Sequence, residues 1–275
     1  MALADDFDGL LIDLDGVVWI GREPVPGAAE TLQTLLADGK RIVFVTNNPG
    51  KLPASYAKRL RSMGVEVEPA QIVTAGMVAA RLAGEAAGPS GGAFVIGGEP
   101  LQEMVAATGP TLLDGEAGRE ADVVVVSGHR DFDYEELLTA KLALDGGAAL
   151  IATSHDRTMP MPGGEWPGTG SVLAAVETAS GRRAEIAGKP EAHLFEIALE
   201  ALNRGSLIVS EARKEPRDDQ RVAMIGDRVS SDIEGGRRAG LATILVLSGT
   251  TDREQAAAAE PRPDHVIDDL AGLLT

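Results

Sequence analysis

The sequence runs to 275 residues, 44% of them hydrophobic and none of them cysteine. That length holds one large domain or two modest ones, each with a core of its own, and the apolar share excludes a disordered chain. Without cysteine there is no disulfide framework, thiolate metal site or cysteine nucleophile, and a formal charge of −17 argues against nucleic acid or an anionic membrane as the main partner.

The chain opens on MALADDFD, acidic where a secretory leader would be basic, and no apolar run reaches the length of a membrane span. A cytoplasmic protein is expected. The first strand is read in GLLIDLD, residues 9–15, which carries Asp13 and Asp15 straight off the apolar run Leu10-Leu11-Ile12. Two carboxylates this close repel unless a cation or a proton lies between them. The alternatives are a strand capped by solvated acids and a metal or phosphoryl site.

Further strands are read in RIVFVTN, AFVIG, DVVVVSG, ALIATS, RVAMIGD and TILVLSG. Helical spacing fills GAAETLQTLLADG, LPASYAKRLRSMG and EAHLFEIALEALN between them. Several strands are continuously apolar, as both-face burial in a parallel sheet demands, so an α/β protein is expected. Residues 84–181 hold 15 acids against 4 bases and read as a separate unit with a solvated acidic surface. The glycine-rich AAGPSGGAF and the stretch ETASGRRAEIAGKP are its expected junctions.

Ligands of open α/β sheets gather at the carboxyl ends of strands. Four such places carry reactive groups: Asp13 and Asp15; Thr46 and Asn47 in VFVTNN; Lys189 in AGKP; and Asp227 with Asp232 in MIGDRVSSD. Singly, each has an ordinary explanation as a turn, a cap or surface charge. Together they form one polar set of carboxylates, a cation and a hydroxyl.

The ordered pattern DLDGV, TNN, GKP and GDRVSSD closely resembles the haloacid dehalogenase (HAD) superfamily of phosphatases, over about residues 8 to 250. The long stretch between TNN and GKP, with the phrase HDRTMPMPGGEWPGTGSVLAAVETASG, resembles the large α/β cap of its NagD-like, para-nitrophenylphosphatase branch. The resemblance implies a doubly wound, mainly parallel, Rossmann-like core from residues 1–83 and 182–275, with an inserted α/β cap at 84–181 that sets specificity. It implies Asp13 as nucleophile forming an aspartyl-phosphate and Asp15 as general acid, then base. Gly16 would let the chain turn away and leave room for the phosphate. Mg²⁺ would be held by the Asp13 carboxylate, the Asp15 backbone carbonyl and Asp227. Thr46, Asn47 and Asn48 would bind phosphate, Lys189 would offset transition-state charge, and Asp232 would orient Lys189 or the metal's waters.

In the cap, relatives carry Thr-Asn before an Asp where this chain has Ser154-His155-Asp156. His155 and Asp156 are candidates for touching the substrate's leaving group, and a plain turn after ALIATS is the competing reading. A second departure is the long charged stretch at residues 204–221, read as a loop insertion. GGEWPGTGS could cradle a phosphate at a helix start, but it lacks the P-loop lysine and the dinucleotide fingerprint, so a cap turn or hinge contact reads better. His129, His193 and His265 lack ligand spacing.

The expected function is a Mg²⁺-dependent phosphomonoesterase acting on small phosphorylated metabolites such as sugar, glycol or nucleotide phosphates. The cap would close over the site and exclude macromolecules, and homodimers could form through it. A phosphotransferase or phosphomutase shares every one of these residues and is the enzymatic alternative. A phospho-accepting receiver module is about half this length and places its paired acids differently. A silent phosphate-binding regulator would have lost a catalytic group, and none is missing. A dehalogenase needs neither Asp15 nor a metal.

Overall fold

The computed structural model describes residues 2–161, 164–205 and 221–275. Most of the 204–221 insertion lies outside the described residues. Two compact units emerge: residues 1–46, 53–73 and 189–275 form the first, and residues 47–52 and 74–188 the second.

The first unit is built on a six-stranded sheet. In spatial order its strands are His265–Ile267, Ala242–Val246, Val222–Gly226, Gly9–Asp13, Arg41–Thr46 and Ile72–Thr74. The first five run parallel to their neighbours. Side chains alternate across a strand, so the sheet has two apolar faces to cover. Leu10, Ile12, Ile42, Phe44, Ala223 and Ile225 share one core cluster with Leu32 and Leu35 of helix Ala28–Ala37 and Tyr56 and Leu60 of helix Pro53–Ser62. On the other face helix Ala192–Gly205 packs on strand Arg41–Thr46, so closely over Gly9 that a Cβ there would lie 2.5 Å from Leu202. After the first strand the chain builds outward on one side, then returns to build on the other. The switch therefore falls between strands Gly9–Asp13 and Val222–Gly226, where such sheets open a crevice at their carboxyl ends.

The second unit repeats the architecture on a smaller scale. Its sheet runs Glu185–Ile186, Ala149–Ala152, Val123–Val126, Gly92–Ile96, Thr111–Leu112, every neighbour parallel. Helices Tyr134–Asp145 and Thr169–Ser180 pack with Phe94, Val124, Val126 and Leu150 in one cluster, and helix Ala75–Ala87 lies on Val123–Val126 and Ala149–Ala152. Two of these helices start on side-chain caps. Thr74 accepts from the Met77 amide at 3.1 Å, and Asp133 from the Glu136 amide at 2.9 Å.

The observed division differs from boundaries at 83/84 and 181/182. Those would cut helix Ala75–Ala87 in two and strip strand Glu185–Ile186 from its sheet. The glycines near residue 90 are not a linker either. A Cβ on Gly91 would sit 2.1 Å from the Ala87 carbonyl oxygen, and one on Gly92 would sit 2.3 Å from Leu113, so they serve close packing.

Candidate active site

At the switch point of the first unit the strand ends deliver the polar set. Strand Gly9–Asp13 stops at Asp13, shorter than the GLLIDLD reading, because the chain turns at once. The Val18 and Trp19 amides donate to the Leu14 carbonyl at 2.9 and 3.3 Å, and Gly16 takes φ +90°. Strand Arg41–Thr46 ends on Thr46, and Val222–Gly226 leads directly into Asp227. A single π-type turn, Val229–Ile233, then folds Asp232 back beneath Gly226.

Lys189 ties the group together. Its Nζ lies 2.8 Å from Asp13 Oδ1 and 2.6 Å from Asp232 Oδ1, with all three residues buried. Asp232 Oδ2 accepts from the Arg228 amide at 3.0 Å, so both its oxygens are engaged. Asp232 thus holds Lys189. Asp227 is buried too; its Oδ2 accepts from the Thr250 amide at 2.6 Å.

The electrostatics of this burial are unbalanced. Burial pushes the Asp13 carboxyl well above the usual carboxylate range; Lys189 pulls it back, while Asp232 and Asp227 push it further up. Asp232 is raised for the same reasons, burial first. Burial alone would lower Lys189, but the charges of Asp13 and Asp232 outweigh it and hold the ammonium above its ordinary range. Three buried carboxylates thus face one buried cation.

That imbalance bears on a metal. Oxygens of Asp13, Asp227 and Asp232 all lie within 4.8 Å of one another. Hard, charged oxygen donors with two negative charges unmatched by Lys189 fit a hard divalent cation such as Mg²⁺. The Asp15 side chain is not in this group. It is exposed, with Oδ1 accepting from Trp19 Nε1 at 2.9 Å and Oδ2 lying 3.5 Å from Thr46 Oγ1. The space above Gly16 is filled by Asp227, whose Oδ2 would lie 2.4 Å from a Cβ there.

Asp13, Asp15, Gly16, Thr46, Lys189, Asp227 and Asp232 therefore gather in the first unit, whereas Asn47, Asn48, His155 and Asp156 fall in the second. Asn47 Nδ2 donates to Asp156 Oδ2 at 3.3 Å, and Asn48 Oδ1 closes a local turn by accepting from the Gly50 amide at 2.9 Å. His155 is exposed and Asp156 half-buried. The PGTGS glycines press against this loop: the Gly170 amide donates to the Asp156 carbonyl at 2.8 Å, and Gly168 to Arg157 at 2.9 Å. His129 pairs with Glu136 at 3.1 Å, and His265 meets Phe7 edge to face.

Sequence reasoning missed Trp19, Ser248, Gly249 and Thr250. Ser248 Oγ donates to the Gly16 carbonyl at 2.8 Å, and Gly249 leaves room for Asp227, 2.1 Å from where its Cβ would stand. The signal was present in LSGT at the end of the strand read as TILVLSG, where a glycine follows a strand on the crevice side of the sheet.

Comparison with known proteins adds an independent line. A family model described as haloacid dehalogenase-like hydrolase matches residues 10–111, and a second, HAD-hydrolase-like, matches residues 186–273. Chronophin of Mus musculus is 36% identical over 97% of this chain and 91% of its own length. The crystal structure of glycerol phosphate phosphatase from Mycobacterium tuberculosis in complex with magnesium is 33% identical, with a TM-score of 0.85. It covers 100% of this chain and 78% of that one. The p-nitrophenyl phosphatase of Archaeoglobus fulgidus, 31% identical, also has a TM-score of 0.85 and covers 97% of this chain and 98% of that one. No helix among the described residues is long and apolar enough to cross a membrane.

Proposed function

Because this chain belongs to the haloacid dehalogenase-like hydrolases and is a phosphomonoesterase, we propose that it hydrolyses small phosphate monoesters through an aspartyl-phosphate on Asp13. The observation that carries the reading is the buried Asp13–Lys189–Asp232 arrangement beside an exposed second carboxylate, Asp15. A buried carboxylate paired with a fixed ammonium is held in one orientation and suits a nucleophile. An exposed one can exchange its proton with a leaving group and with water.

In this mechanism an Asp13 carboxylate oxygen forms a bond to phosphorus as the ester oxygen departs, taking a proton from Asp15. A water then attacks the same phosphorus and gives its proton to Asp15, and the bond from phosphorus to Asp13 breaks. Lys189, held by Asp232, offsets negative charge as it spreads over the phosphoryl oxygens. Thr46 offers its hydroxyl to one of those oxygens. Mg²⁺ bound by Asp13 and Asp227 would lower the repulsion between the carboxylate and the anionic ester, and the magnesium complex of the mycobacterial relative supports that choice of ion. The names of the relatives favour short polyol and aryl phosphates as first probes. A cytoplasmic setting belongs to the same proposal, and the cysteine-free composition is compatible with it.

Phosphate release from glycerol 3-phosphate, p-nitrophenyl phosphate and a panel of small monoesters, with Mg²⁺ and after chelation, tests this directly. Release that needs Mg²⁺ and returns on its addition is expected. Full turnover in chelator, or transfer of the phosphoryl group to a second substrate without free phosphate, would sink the reading.

A further inference from the structure

Trp19 is fully buried in the apolar cluster of the first unit, yet its one polar atom leaves that cluster to meet an exposed carboxylate. Its Nε1 donates to Asp15 Oδ1 at 2.9 Å. The local chain makes the meeting possible. After the turn onto the Leu14 carbonyl, the Gly16 amide donates back to the Trp19 carbonyl at 2.7 Å, so the ring arrives beside a residue four positions earlier. Two neighbours fix the ring. Tyr56 stacks on it with planes 3° apart and centroids 6.4 Å apart, and the Arg59 guanidinium lies 3.9 Å above its centre. Arg59 is itself tied to the Gly21 carbonyl at 2.9 Å.

A buried indole N–H needs a partner, but any backbone carbonyl would serve. Here the partner is the carboxylate assigned above to proton transfer. An indole N–H only donates, so the oxygen it meets can only accept. Oδ1 is thereby committed, and Oδ2, on the side of Thr46, is the oxygen left to exchange a proton.

We propose that Trp19 is the positioning residue of Asp15: its clamped N–H fixes the carboxylate rotamer and assigns Oδ2 to leaving-group and water chemistry. This rests on the acid–base role proposed for Asp15. It adds a determinant of rate that the four sequence motifs do not contain. An exposed aspartate without such a tether rotates among several rotamers, and small misplacement of a reacting group costs heavily in rate.

The test replaces Trp19 site-specifically by its benzothiophene isostere, in which sulfur takes the place of the ring N–H while shape and stacking stay. Trp19→Phe serves as a second variant and Asp15→Asn as the reference. With glycerol 3-phosphate or, if that ester is not turned over, p-nitrophenyl phosphate, the isostere is expected to lower kcat about tenfold with KM held within about twofold, and to melt like the parent protein. Trp19→Phe should show the same split with a lower melting temperature. Wild-type kcat in the isostere, alongside an inactive Asp15→Asn, would overturn the role of Trp19 and leave that of Asp15 standing. An active Asp15→Asn would remove the acid–base assignment and the proposal with it. A rise in KM that accounts for the whole loss would make Trp19 a packing residue only.

Discussion

The two parallel sheets of this chain share an architecture and differ in what their strands carry at the carboxyl ends. In the first unit the ends supply Asp13, Thr46 and Asp227, joined by Asp232 and Lys189, with three buried carboxylates around one ammonium. In the second unit they supply Ser127 and Thr153. Thr153 Oγ1 donates to Ser127 Oγ at 3.1 Å and lies 3.5 Å from Thr169 Oγ1, which in turn accepts from the Gly128 amide at 2.9 Å. Those hydroxyls are neutral and answer one another, so burying them costs little. Buried carboxylates in excess of their partners cost several kcal/mol, of order 3–5 when a pair is broken. A doubly wound sheet provides the place; an unmatched buried charge marks where the chemistry is.

Four substitutions would break or sharpen that contrast. Asp13→Asn should lower phosphate release by about a thousandfold or more while the protein still folds cooperatively; near-normal turnover would show that the charged end is not the reacting one. Lys189→Met strands two buried carboxylates, and urea unfolding should read a loss of about 3–5 kcal/mol together with lost turnover. A variant as stable as the parent would mean the carboxylates are not charged there. Gly16→Ala meets a positive φ and a Cβ 2.4 Å from Asp227 Oδ2; thermal denaturation should show a cost of about 1–3 kcal/mol. In the second unit, Thr153→Val should cost only about 1 kcal/mol and leave kcat as it was. Abolished turnover in that variant would place the hydroxyl end among the reacting groups and end the contrast.

The seven strands read from sequence are all present, since each is a run of apolar residues long enough to be covered on both faces. Among the described residues, the strands that escaped from the two large sheets are Ile72–Thr74, Thr111–Leu112, Glu185–Ile186 and His265–Ile267, each only two or three residues long. Two short hairpins escaped as well, Trp19–Ile20 with Glu23–Pro24 and Thr158–Met161 with Gly164–Pro167. A period needs more residues than that to show, and pairing in the sheet, not local pattern, makes them strands. Asp13, Asp15, Lys189 and Asp227 were legible because each sits beside a strand end or a glycine, and Asp232 only as the last residue of the GDRVSSD pattern. Trp19 was not. Its apolar ring belongs to the core by every sequence measure, and only the fold-back at residues 14–19 turns its N–H toward Asp15. The unit boundaries were hidden for a similar reason, since alanine-rich helix Ala75–Ala87 has the same composition whichever sheet it covers.

The pairing of the first sheet also orders the making of the protein. Strand Gly9–Asp13 lies between Arg41–Thr46 and Val222–Gly226, in register Gly9 with Arg41 on one side and Gly9 with Val222 on the other. During synthesis one edge of that strand finds its neighbour early, while the other edge waits, unsatisfied, until the ribosome has passed residue 226. The smaller sheet draws its strands from Gly92 to Ile186 and can close in the meantime. The nascent chain therefore carries an open apolar edge through most of translation, and an enzyme stopped short of its final segment would be a sticky, inactive half-sheet.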